Sequence, residues 1–149
     1  MKLFSLLVVL LTFNLNLSGQ TTNANYDSTL AKKLGADERG MKKYILVILK
    51  TGSNKTEDKV LTDSLFAGHM SNMGRLVKED KLIVAGPIGK NEKTYRGIFI
   101  LNVTTFDEAN EILKTDPAIS GNLLEPELYN WYGSAALPMY LDYTDKIRK

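Results

Sequence analysis

Among 149 residues there is one imidazole, His69, and no thiol. A single histidine excludes metal centres that need two or three imidazoles, and the missing cysteine excludes thiolate ligands, iron–sulfur clusters, disulfides and cysteine nucleophiles. Proton chemistry in this chain therefore falls to imidazole and carboxylate. His69 lies in the series Leu61, Leu65, His69, Met73, each four residues from the last, so on a helix it belongs to the inward stripe. An inward histidine needs partners for its ring nitrogens. Asp116 stands directly before Pro117 at the end of a second helical segment. Where a fold lays those two helices side by side, the carboxylate can hold one ring nitrogen, set the tautomer, and leave the other free to move a proton. A plainer reading stands beside this one: a structural histidine, and an aspartate that caps the turn near Ile119.

Three further residues are candidates for binding a substrate. Arg96 opens a strand and offers a planar fork for a carboxylate, or is an edge arginine in solvent. Ser120 follows the Asp-Pro turn and offers a hydroxyl, or caps it. Trp131, with Tyr132 beside it, offers an aromatic wall, or packing at a strand end. Glu125 and Glu127 share one face of a strand, which does not suit a carboxylate pair working from opposite sides of a sugar. The run Gly86-Pro87-Ile88-Gly89 precedes a strand and not a helix, so it is no phosphate loop. We find no site for nicotinamide, flavin or haem, and no metal site; the expectation is a protein without cofactor.

The formal charge of +2 is too small for a nucleic-acid footprint. Met1-Lys2 followed by the apolar run Leu3 to Phe13 and the small residues Ser18-Gly19 has the pattern of a secretory signal peptide, placed at residues 1–19. The run is shorter than the roughly 20 residues of a membrane span. Export to a bacterial periplasm or beyond is expected, with no stable membrane insertion after cleavage. Residues 20–40 read as a linker or arm in which Ser28 to Leu34 makes two helical turns ended by Gly35.

The elements that must position these residues follow from periodicity. Lys43 to Lys50 is a β-branched and aliphatic strand. A helix runs from about Asp58 to Glu79, Leu82 to Gly86 and Tyr95 to Val103 are strands joined by a polar turn, and Thr105 to Lys114 is a helix opened by a Thr105/Glu108 capping box. Pro117 ends it; a further helical turn fits at Ala118 to Asn122, and Leu124 to Tyr132 is the last strand. Residues 135–149 form a tail, leaving a domain at 41–134. The order β-α-β-β-α-β is ferredoxin-like: an α+β fold with two helices on one face of an antiparallel sheet. Both faces of the first strand are apolar, Tyr44, Leu46 and Ile48 on one side and Ile45, Val47 and Leu49 on the other. An uncovered face of that kind would be a large apolar patch. A second copy packed sheet on sheet is the economical cover, with the arm or the tail as the other candidate.

An ordered set of short pieces now carries a resemblance. Lys42-Lys43-Tyr44, His69, Ala85-Gly86-Pro87, Arg96-Gly97-Ile98-Phe99, Thr115-Asp116-Pro117-Ala118, Leu124-Glu125-Pro126-Glu127 and Trp131-Tyr132-Gly133 resemble the YCII-related (YciI-like) family of the dimeric α+β barrel superfamily, over residues 41–134. The resemblance implies a dimer of ferredoxin-like protomers and an active site thought to use a His and an Asp, matched here by His69 and Asp116. Most members lack an assigned substrate, and one branch resembles a dechlorinating enzyme. The expectation is an exported protein doing acid–base chemistry on a small, anionic organic molecule, by proton abstraction, lyase-like elimination or water activation. A non-catalytic periplasmic binding protein and a structural dimer module are the alternatives.

Overall fold

The computed structural model describes residues 23–147 and 149. The signal peptide expected at residues 1–19 lies outside the described residues. The arm carries a short helix, α1 (Ser28–Leu34). Asp27 caps it by accepting from the amides of Thr29 and Leu30, and Gly35, at φ +69°, ends it in the left-handed region that favours glycine. No residue of α1 is buried. The arm is tied down at Asp37, whose carboxylate accepts from the amides of Arg39 and Met41 and from the Tyr132 hydroxyl.

Four strands follow: β1 (Met41–Thr51), β2 (Leu82–Pro87), β3 (Tyr95–Leu101) and β4 (Leu124–Ser134). They form one antiparallel sheet in the order β2-β3-β1-β4. Between them run α2 (Lys59–Lys78), α3 (Phe106–Leu113) and the single turn α4 (Pro117–Ser120). This is the ferredoxin-like α+β arrangement expected from the element order. Asp58 caps α2 and Thr105 caps α3, each accepting an amide of its first turn.

The main core lies between the sheet and the helices. Ile45, Val47 and Leu49 of β1 meet Leu76 of α2, Phe99 and Leu101 of β3, and Ile112 and Leu113 of α3. Each such side chain fully withdrawn from water contributes roughly 1.5–3 kcal/mol. The inner stripe of α2 departs from the four-residue series. Its buried residues are His69, Asn72 and Leu76, while Leu61 is 43% exposed. Steps of four residues drift about 40° around a helix, so Leu61, two steps before His69, has rotated off the core face.

The second face of the sheet has its own small core. Tyr44, Ile83 and Ile100 are buried there, with Trp131, Leu137 and Leu141 packed against them. Leu137 and Leu141 belong to the tail, which folds into a 3-10 turn (Leu137–Tyr140) and α5 (Leu141–Thr144). The Tyr140 hydroxyl donates to the Ile83 carbonyl and anchors the tail on the sheet. The tail thus covers one end of this face, the cover weighed against a second copy. Leu46 packs at the edge of this cluster, and Ile48 and Ile98, toward the other end, stay partly exposed.

Candidate active site

His69 and Asp116 meet. The imidazole Nδ1 lies 2.7 Å from the Asp116 carboxylate oxygen Oδ2, and both side chains are buried, with 10% and 1% exposed. Two local features place them. Gly68 lets α2 approach α4: a Cβ there would stand 2.7 Å from Cγ of Pro117. Asp116 is also the cap of α4, its other oxygen Oδ1 accepting from the amides of Ala118 (3.0 Å) and Ile119 (3.3 Å). The carboxylate thus makes both contacts weighed for it, Oδ1 capping α4 and Oδ2 meeting the imidazole. An ionised carboxylate can only accept, which assigns the proton of the short contact to Nδ1 and leaves the lone pair of the neutral ring on Nε2. Nε2 makes no hydrogen bond among the described residues, and His69 lines an open cleft of about 430 Å³.

The cleft is mostly apolar. Phe99 of β3 stacks on the imidazole, with centroids 5.8 Å apart and planes 19° apart, and Phe66 of α2 meets it edge-on at 6.2 Å. Met70 and Met73 of α2 add thioether wall, and Gly86 and Gly97 add backbone. The sequence signals for these were present but weak. Phe66 lies one turn before His69, and Phe99 shares its strand face with Gly97.

A polar tie lies on the other side of α2. Arg75 Nη2 donates to Asn72 Oδ1 (2.7 Å) and to the Thr115 hydroxyl (2.9 Å), which in turn donates to the Ile112 carbonyl (2.6 Å). This cluster clamps α2 to the residue just before Asp116. Sequence reasoning missed it. Its one signal was Asn72, a polar residue three positions after His69 on the same stripe.

Of the three candidates for binding a substrate, only Arg96 is in the cleft. Strict alternation from Phe99 and Gly97 would send its side chain to the opposite face. The β1–β3 register pairs Leu49 with Gly97 but Lys50 with Tyr95, so Arg96 is the extra residue of a bulge, which frees it from that alternation. Arg96 is exposed and makes no ion pair among the described residues. Ser120 and Trp131 are not in the cleft. The Ser120 hydroxyl donates to the Lys114 carbonyl (2.7 Å), the local cap that was its other reading. Trp131 pairs with Tyr44 across the sheet, on the face away from the helices, their rings 5.5 Å apart. The strand's period of two puts it there.

No three metal-ligating side chains converge among the described residues. No family model and no curated protein matches the chain, so the family resemblance rests on the residues quoted above. Among solved structures, the chain is similar to the 5-chloro-2-hydroxyhydroquinone dehydrochlorinase TftG of Burkholderia phenoliruptrix AC1100, in complex with 2,5-dihydroxybenzoquinone. The two are 19% identical over 58% of this chain and 92% of that one, with a TM-score of 0.42. At that identity and TM-score the likeness assigns neither reaction nor substrate.

Proposed function

We propose that this protein is an acid–base catalyst acting on a small organic molecule without a cofactor. His69 accepts and returns the proton at Nε2, and Asp116 is its positioning residue. The observation that carries the reading is the 2.7 Å contact between a carboxylate tied by two backbone amides and an imidazole whose second nitrogen has no partner among the described residues. When Nε2 takes a proton, the positive charge on the ring is met at once by Asp116, which lowers the cost of the charged intermediate. The apolar wall thins the competing water and strengthens that attraction. Proton abstraction next to an electron-withdrawing group, elimination, and activation of a water all use this one step. We place the protein in the bacterial periplasm or outside the cell, as a homodimer.

His69 is the single imidazole, so its reactivity can be read without ambiguity. Diethyl pyrocarbonate acylates a neutral, accessible imidazole nitrogen. The folded protein is expected to gain one acylated histidine, with His69→Gln as the blank. In Asp116→Asn the amide donates to Nδ1, the tautomer flips, and Nε2 loses its lone pair. The rate should fall by at least about tenfold, the worth of one charge-assisted hydrogen bond. A folded protein that resists the reagent, or an Asp116→Asn protein that reacts as fast as wild type, overturns the reading.

A further inference from the structure

The composition of the cleft narrows the molecule it takes, and this step rests on the reading of His69 given above. Among the described residues, His69 and Arg96 are the ionisable ones that line it, and no carboxylate does. One wall is built from Phe66, Met70 and Met73. The strand side of the cleft includes Gly86 and Gly97; a Cβ at Gly86 would meet nothing within 4 Å, whereas at Gly97 it would stand 2.8 Å from the Gly86 carbonyl oxygen, so the close pairing of β2 and β3 keeps that position a glycine. We propose that the ligand is a flat, singly charged conjugated acid: its anion pairs with Arg96, and its ring lies between the glycine backbone and the aromatic and thioether wall, presenting its reacting atom to Nε2 of His69.

Each part of that description has its own cause. The single cation sets the charge, because a second negative group would enter an apolar slot without a partner. The bulge at Arg96 matters because it releases this residue from the strand's alternation at the edge of the cleft, where it makes no ion pair among the described residues. A guanidinium fork binds a carboxylate through two parallel hydrogen bonds, which fixes the ring's orientation as well as its charge. Flatness follows from the walls: a slot with backbone on one side and Phe66 on the other grips a plane, and thioethers at Met70 and Met73 contact aromatic edges favourably. Size follows from the volume, since about 430 Å³ lies low in the range of roughly 300–1,000 Å³ typical of small-molecule sites. Phosphates and sugars fit neither the lining nor the single cation.

The test uses four probes and the NMR signals of the lone imidazole. Benzoate is the flat anion, benzamide its neutral counterpart, cyclohexanecarboxylate the puckered anion, and inorganic phosphate the small polyanion. Benzoate should shift the His69 ring signals in a saturable way. Benzamide and cyclohexanecarboxylate should bind at least about tenfold more weakly, and phosphate should leave the signals in place. Arg96→Gln should reduce benzoate binding to the level of benzamide without changing benzamide itself. The proposal fails if phosphate or cyclohexanecarboxylate shifts His69 as strongly as benzoate, if Arg96→Gln has no effect, or if no probe binds. Failure here with acylation of His69 still dependent on Asp116 removes the ligand class and leaves the acid–base reading standing. Benzoate binding without that dependence leaves a binding cleft and removes the catalyst.

Discussion

Replacing Asp116 by Ala and by Asn separates its two jobs. The carboxylate is 1% exposed and accepts three hydrogen bonds, two from the amides that open α4 and one from His69. Asp116→Ala removes the cap, worth about 1 kcal/mol, and leaves His69 Nδ1 buried without a partner, which costs about 1–3 kcal/mol more. The sum is about 2–4 kcal/mol. At about 1.4 kcal/mol for each factor of ten, a loss of about 3 kcal/mol lowers the folding equilibrium roughly a hundredfold. Asp116→Asn keeps an acceptor for the two amides, and its NH2 still meets Nδ1 once the tautomer flips. It should cost about 1 kcal/mol, the difference between a charge-assisted and a neutral bond. The assay is urea denaturation followed by the fluorescence of the single tryptophan, Trp131, and in parallel by circular dichroism. Trp131 lies on the far face of the sheet, packed against Tyr44 and away from the cleft, so it reports unfolding and not a change at the mutated site. If Asp116→Ala costs less than about 1 kcal/mol, or the two variants cost the same, Asp116 does not hold both partners and the account of the site is refuted.

Three other outcomes are expected. Gly68→Ala and Gly74→Ala should have opposite signs: a Cβ at 68 meets the Pro117 ring at 2.7 Å, whereas one at 74 meets nothing within 4 Å. Thermal denaturation should show Gly74→Ala more stable by about 1 kcal/mol from helix propensity, and Gly68→Ala less stable by about 1–2 kcal/mol as the clash outweighs that gain. The hydrogen bond from Tyr132, and then the Met41 amide, holds the Asp37 carboxyl below its ordinary value of 3.8, and the same bond holds the Tyr132 hydroxyl above 10.0. A depressed carboxyl stabilises the fold above its unfolded pKa and loses that as pH falls through the folded one, while a raised phenol loses its share as pH rises past its own. The tie between the arm and β4 should therefore hold across the neutral range and open only at a pH below 3.8 or above 10.0, read as faster exchange of the Arg39 and Met41 amides at the acid end and as ionisation of Tyr132 in the ultraviolet at the alkaline end. Sedimentation at micromolar concentration should show a dimer that Ile48→Glu dissociates. A wild-type monomer would mean that the tail, through Leu137 and Leu141, is cover enough for the sheet.

Local chemistry made most of the fold legible. The β-branched run at Tyr44–Leu49, the caps at Asp27, Asp58 and Thr105, the stop at Gly35 and the break at Pro117 act within a few residues of chain, and their physics needs nothing distant. Element order then implied the sheet. The candidate pair was legible as two types of residue, a lone inward histidine and an aspartate before proline. Their contact across 47 positions was not, because it depends on how closely α2 approaches α4, and Gly68 against Pro117 decides that only in three dimensions. The same limit explains Arg96 and Trp131. Arg96 reaches the cleft through a one-residue shift of register that no period in the sequence announces. Trp131 turns away because β4 pairs it with Tyr44 and not with Ile45. Composition and local pattern set which groups are available for chemistry, one imidazole with carboxylates, and which elements carry them. Tertiary packing decided which carboxylate, which cation and which walls meet that imidazole, since side-chain encounters are set by distances between elements that local propensity does not encode.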